Sequence, residues 1–264
     1  MLRNRLFQEI SFLSFVLMTA AAQSVESSVK QTQNGGTVKA TVEVAVVKPH
    51  PSVVMHNNFS FSKNRFELED QPVLKLIAFA YSLNPRQVVG APGWTSANHY
   101  DMSGTTNLTE DATRPQEQQI LRQLLEERFG LQFHREKLEM PAYALQVVKG
   151  QPKLTAAADL SAQPLEWTQG HDWERTENYR SSTIGDFLVI KQLFMDRPLV
   201  DQTGLTGRYD FKLTYRLADA PNTDADGAPP MFTAIKDQLG LKFEPVKAPV
   251  EMFVIDHIEQ PTGN

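Results

Sequence analysis

Six histidines are the side chains best suited by type to move a proton or hold a metal near neutral pH: His50, His56, His99, His134, His171 and His257. No two stand four positions apart, so no helix turn can aim a pair at one ion. His134 is the sharpest candidate. It alternates with Phe133 on an expected strand, beside Arg135 and Glu136, and can face solvent or a groove. An imidazole there could contact a ligand or transfer a proton; we favour the plainer reading of a half-exposed strand histidine. His171-Asp172-Trp173-Glu174 groups an imidazole, two carboxylates and an indole. His171 with Asp172 or Glu174 could bind a metal, but adjacent residues rarely converge on one ion unaided. No metal and no cofactor is expected.

Asp201-Gln202-Thr203-Gly204 resembles the Asp-Thr-Gly of aspartic peptidases, but Gln202 interrupts it, and an acid protease needs two carboxylates sharing a proton. A turn fits better, with Asp201 capping it and Gly204 and Gly207 supplying positive φ. Tyr100-Asp101 and Tyr209-Asp210 recur. A structural task suits them: the tyrosine packs in a sheet while the aspartate accepts backbone hydrogen bonds at a strand edge. Gly-x-Ser-x-Gly, P-loop, Gly-x-Gly-x-x-Gly and His-Glu-x-x-His motifs are absent. Asn58-Phe59-Ser60 and Asn107-Leu108-Thr109 fit glycosylation sequons, which matter only in a host that glycosylates.

The elements that must position these residues follow from periodicity. Thr41–Val47 is β-branched and apolar and ends at Lys48-Pro49, a strand. A loop rich in His, Asn and Ser is expected next. Val73–Tyr81 places Leu76, Ile77, Ala80 and Tyr81 on one helical face. Gln116–Phe129 is the clearest helix, with Pro115 at its start and Gly130 at its stop. Two strands, 131–137 and 143–149, are expected around a turn at Met140-Pro141. Residues 150–180 show no periodicity and read as a connecting segment.

The second half then echoes the first. Ile184–Phe194 answers Val73–Tyr81, Tyr209–Leu213 answers Tyr100–Met102, and Met231–Leu239 answers Gln116–Phe129. Gly240-Leu241-Lys242-Phe243 answers Gly130-Leu131-Gln132-Phe133, and a last strand follows a proline in each half. Tyr100 stands 30 positions before Gly130, and Tyr209 stands 31 before Gly240. Anchors that hold register over this span predict two similar α-β-β-α-β-β units, with antiparallel sheets and helices packed on one face, an α+β fold.

The 264 residues carry 26 Lys+Arg against 31 Asp+Glu and no cysteine, a net charge of −5. Lack of cysteine excludes disulfides, a thiol nucleophile and cysteine-ligated zinc or iron–sulfur sites. Mild acidity argues against a dedicated nucleic-acid binder. Arg3 and Arg5, a short apolar run and Ala20-Ala21-Ala22 form the pattern of a signal peptide cleaved after Ala22. The expected organisation is a signal peptide at 1–22, a flexible leader at 23–40, a first unit at 41–150, a connection at 151–180 and a second unit at 181–264. No later run is long enough to span a membrane, so the exported chain is expected to be soluble in the periplasm or outside the cell.

Longer motifs carry a family resemblance. Arg128-Phe129-Gly130-Leu131-Gln132-Phe133-His134-Arg135-Glu136 with Met140-Pro141-Ala142-Tyr143-Ala144-Leu145, and Arg197-Pro198-Leu199-Val200-Asp201 through Arg208-Tyr209-Asp210-Phe211, resemble an uncharacterised exported family first noted in soil acidobacteria. So does the tail from Gln238 to Glu259. The resemblance spans roughly residues 41–264. It implies a domain of unknown function, sometimes attached to membrane metallopeptidases of the antibiotic-sensor type, with no catalytic residues to carry over.

Two functions are therefore weighed. In the favoured one, the chain binds an envelope ligand or protein in a pocket between the halves, and His134, Tyr143, Asp201, Arg208 and Asp210 are the groove candidates. In the other, an envelope hydrolase assembles its site from His134, Asp201 and Asp210, with His171 as a further member.

Overall fold

The structure, a computed structural model, describes residues 39–51, 58–150, 152–160, 164–171, 173–218 and 227–261. The expected signal peptide and nearly all of the leader lie outside these residues, as does Asp172. Val38–Asn264 forms one compact unit.

The first half runs β1 (Val42–Pro49), β2 (Asn58–Ser62), β3 (Arg65–Pro72), α1 (Val73–Ala80), β4 (Val88–Val89), α2 (Trp94–Ala97), β5 (His99–Thr106), α3 (Arg114–Phe129) and β6 (Gln132–Val147). The second runs β7 (Thr155–Ala156), β8 (Leu165–His171), β9 (Glu174–Ser182), α4 (Ile184–Gln192), β10 (Leu199–Asp201), β11 (Tyr209–Arg216), α5 (Met231–Leu239) and β12 (Leu241–His257). Three sheets result, with orders β1-β5-β3-β2, β7-β11-β9-β8 and β10-β6-β12-β4. The outer two are antiparallel throughout. In the central sheet β6 and β12 are antiparallel, and the short β10 and β4 add parallel to β6 and β12 respectively. This is an α+β fold.

Each helical pair fills the space between an outer sheet and the central one. Leu76, Ile77 and Ala80 of α1 and Ile120, Leu121, Leu124 and Leu125 of α3 meet Phe66, Leu68 and Met102 from one side and Phe253 and Ile255 from the other. Phe187 of α4 and Ala234, Ile235 and Leu239 of α5 share a second core with Tyr179, Leu213, Leu145 and Leu241. Gly130 and Gly240 close α3 and α5 in the left-handed conformation, at φ 60° and 65°, and turn the chain into the central strands.

Three expectations need correction. The two strands expected at 131–137 and 143–149 are the single strand β6, and their second-half counterparts are the single strand β12. Prolines do not break them, because their missing N–H points away from the ladder. Tyr143 donates its N–H outward to Pro198 O at 2.8 Å, so Pro141, two residues earlier, faces the same way. Pro245 pairs with Tyr143 and Pro249 with Glu139, and directly opposed residues face outward together. The loop expected before α1 holds the β2–β3 hairpin, where Phe59 and Phe61 pair with Leu68 and Phe66. The segment expected to be irregular at 151–180 contains β7, β8 and most of β9. The order in each half is thus β-β-β-α-β-β-α-β, with the short α2 added between β4 and β5 in the first, not α-β-β-α-β-β.

Candidate functional site

Helix α5 turns Ala234, Ile235 and Leu239 into the core, so the positions between them form its open face: Phe232, Thr233, Lys236 and Asp237. Gly240 then brings β12 back beside it, with Lys242, Phe243 and Glu244 next to the end of β6. Between them lies a groove of about 700 Å³, which Val148 and Lys149 also line. Its aromatic lining is Phe232 and Phe243, with ring centres 5.6 Å apart. Tyr143 backs Phe232 edge-on at 5.5 Å, and the Arg197 guanidinium sits 5.2 Å over the Tyr143 ring. Lys242 Nζ lies 2.6 Å from Glu244 Oε1. Among the described residues no histidine or serine lines this groove. The arrangement can hold a molecule by apolar contact and charge.

Of the five predicted groove residues, only Tyr143 belongs to this surroundings. His134 sits near the opposite end of β6, exposed, with Nδ1 2.8 Å from Asp256 Oδ1 and Nε2 3.1 Å from Glu136 Oε1. Hydrogen bonds to Glu136 first, and to Asp256, hold its pKa above the ordinary histidine value. Asp201 pairs with Leu145, eleven residues along β6 from His134, which is a separation of about 35 Å. Asp201 Oδ1 accepts from Thr203 N and Thr203 Oγ1, both at 2.8 Å, which is the expected turn. Gly204 has φ 69°, whereas Gly207 has no positive φ and instead leaves room for the Tyr209 ring.

Asp210 and Arg208 are occupied together at Ser181, whose φ of 46° kinks β9. Asp210 Oδ1 accepts from Ser181 N at 2.7 Å, and Arg208 Nη1 donates to Ser181 O at 2.8 Å. Asp101 does the same work in the first outer sheet, accepting from the N–H of Asp70 at 3.0 Å, where φ is 56°. The recurrent Tyr-Asp pairs therefore brace strand kinks, and Tyr100 is buried. The structure does not bring His134 together with Asp201, so the hydrolase set is not assembled. The side chains of His171 and Asp172 lie outside the described residues. Among the described residues no three His, Asp or Glu side chains are placed to hold a metal.

Two titratable groupings escaped the sequence reading. At the first kink, His50 Nδ1 lies 2.7 Å from Asp101 Oδ1 and His99 Nδ1 lies 2.5 Å from Asp70 Oδ1. Burial lowers the pKa of the nearby Lys75 ammonium against the attraction of Asp70. In the second core, Lys191 Nζ lies 2.5 Å from Glu177 Oε2, and the Tyr179 and Tyr215 hydroxyls donate to the same carboxylate at 2.8 Å and 2.7 Å. Long sequence separations hide both. The groove left one signal, Phe232 on the otherwise polar face of α5.

The seam where the halves meet is closed by amides. Asn84 Nδ2 donates to Gln192 O and Met195 O at 2.9 Å and 2.6 Å, and Gln87 Nε2 donates to Glu251 O at 2.9 Å. No helix among the described residues is long and apolar enough to cross a membrane. Neither a curated protein nor a solved structure matches the chain. The profile of one family, described as "Protein of unknown function (DUF3738)", matches residues 74–258, a stretch that includes the second helical core, the central sheet and the groove, while β1, β2 and β3 precede it. This chain is a member of that family.

Proposed function

We propose that the chain is an exported, non-catalytic binding protein of the cell envelope, working in the periplasm or outside the cell after cleavage near Ala22. In this reading residues 41–150 and 181–264 descend from one ancestral unit, and β7, β8 and β9 of the 151–180 segment complete the second copy. Their matching order of elements, kinks braced by Asp101 and Asp210, and caps at Gly130 and Gly240 support it. The resemblance to the exported acidobacterial family, whose domain is sometimes joined to sensor-type metallopeptidases, supports a sensory or ligand-carrying task.

The observation that carries the binding reading is the groove beside α5, where Phe232 is 42% exposed next to Phe243 instead of being packed away. Its lining offers contact surface and charge, not a nucleophile with a base. The test is titration of the neutral apolar fluorophore N-phenyl-1-naphthylamine into the full chain. Saturable binding that Phe232→Ala weakens is expected; a flat, unsaturable response overturns the reading. Export is tested separately by cell fractionation. An envelope form beginning at Gln23 is expected, and a cytoplasmic form retaining Met1 refutes export.

A further inference from the structure

We propose that the groove beside α5 takes a small organic anion: an apolar, flat or chain-like body that ends in a carboxylate, sulfonate or phosphate. The proposal rests on the binding reading above and adds the sign of the ligand's charge.

The body follows from the aromatic lining. Phe232 and Phe243 meet at 5.6 Å and Tyr143 supports Phe232 from behind, so an exposed ring is held in place instead of collapsing onto its neighbours. The volume of about 700 Å³ lies within the range of small-ligand sites.

The charge follows from a census of the groups facing the groove. Three ammoniums line it, those of Lys149, Lys236 and Lys242, against the carboxylates of Asp237 and Glu244. Lys242 and Glu244 neutralise each other at 2.6 Å. The ammoniums of Lys149 and Lys236 have no ion-pair or hydrogen-bond partner among the described residues. A further ammonium stands close by, because Lys153 Nζ donates to Asp237 O at 2.8 Å. The chain as a whole is acidic, with a net charge of −5, so a local surplus of cations beside the exposed Phe232 ring stands out from its surroundings. A neutral ligand would use only the rings, and a cation would be repelled. An anion with an apolar body uses both. A nucleic acid would need a far more extended basic face.

The test compares two fluorophores of similar body on the full chain: 8-anilino-1-naphthalenesulfonate, which is anionic, and N-phenyl-1-naphthylamine, which is neutral. The sulfonate should bind more tightly, and added salt should erode that advantage. The double variant Lys149→Ala/Lys236→Ala should weaken the sulfonate about fivefold to tenfold, the worth of two solvent-facing ion pairs, and leave the neutral probe within about twofold. Lys149→Gln/Lys236→Gln should behave alike, and melting curves confirm that each variant folds. If the sulfonate binds no better than the neutral probe and the lysine variants change neither, the anion proposal is overturned while the binding reading stands. If neither probe saturates, both fall.

Discussion

Lys191 and Glu177 form an ion pair with almost no access to water, their side chains 1% and 4% exposed. Replacing Lys191 by Met keeps most of the volume but strips the cation from Glu177. The carboxylate then retains only neutral donors of those described above, the Tyr179 and Tyr215 hydroxyls. Breaking a buried pair from one side costs about 3–5 kcal/mol, because it leaves a charge without compensation in a low dielectric. For a chain of this size that predicts a fall in melting temperature of roughly 6–20 °C.

The double variant Glu177→Leu/Lys191→Met removes both charges, and it should recover most of the loss or exceed the parent stability by about 1–4 kcal/mol. The first half supports this expectation. Counted from the braced kinks at Asp70 and Ser181, Phe66 and Ala80 occupy the positions of Glu177 and Lys191, and there the core is apolar. Urea and thermal unfolding of the parent, both single variants and the double variant form a cycle that isolates the pair. A Lys191→Met variant within about 1 kcal/mol of the parent refutes the reasoning, since an uncompensated buried carboxylate cannot be that cheap.

Three further outcomes follow from the geometry. The His134 imidazole, followed by NMR, should titrate above the ordinary histidine value, and Glu136→Gln or Asp256→Asn should each bring it down. Because its folded-state pKa is raised, its contribution to stability is complete below the ordinary value and disappears as pH rises through the raised midpoint. Gly104→Ala should destabilise by about 1–3 kcal/mol or more, since a Cβ there strikes the Val44 carbonyl oxygen and the Phe66 ring; an unchanged denaturation midpoint would contradict that approach. Asp210→Ala should cost about 1–3 kcal/mol by orphaning the Ser181 N–H, and Asp101→Ala should do the same at Asp70; calorimetry showing no loss at either site would remove the bracing role.

Helices were the most legible part of the chain. Val73 to Tyr81, Gln116 to Phe129 and Met231 to Leu239 announce themselves by apolar spacing, Pro115 and the two capping glycines. Those signals act within a few residues, where hydrogen bonds and caps decide the outcome. The Tyr-Asp pairs were legible as bracing for a similar reason, since their recurrence marked a task common to both halves. Strand length was less legible. Pro141, Pro245 and Pro249 look like breaks in a linear reading, and only the ladder reveals that their missing donors face outward. The β2–β3 hairpin did alternate Phe59, Phe61, Phe66 and Leu68, but the polar residues around it masked the pattern.

What the amino-acid order determined by itself was local and repetitive: which segments coil, where they stop, the α+β class, the lack of any thiol chemistry and the family motifs. Tertiary structure alone decided which distant side chains share a space. It parted His134 from Asp201 along one rigid strand, joined Glu177 to Lys191 in a dry core, and set His50 and His99 on aspartates from neighbouring strands. It also placed Lys149, past the end of β6, beside Lys236 on α5. The physical reason is that propensity and capping act over a turn or two, whereas charge, burial and hydrogen bonding act through space, and strand pairing chooses the neighbours.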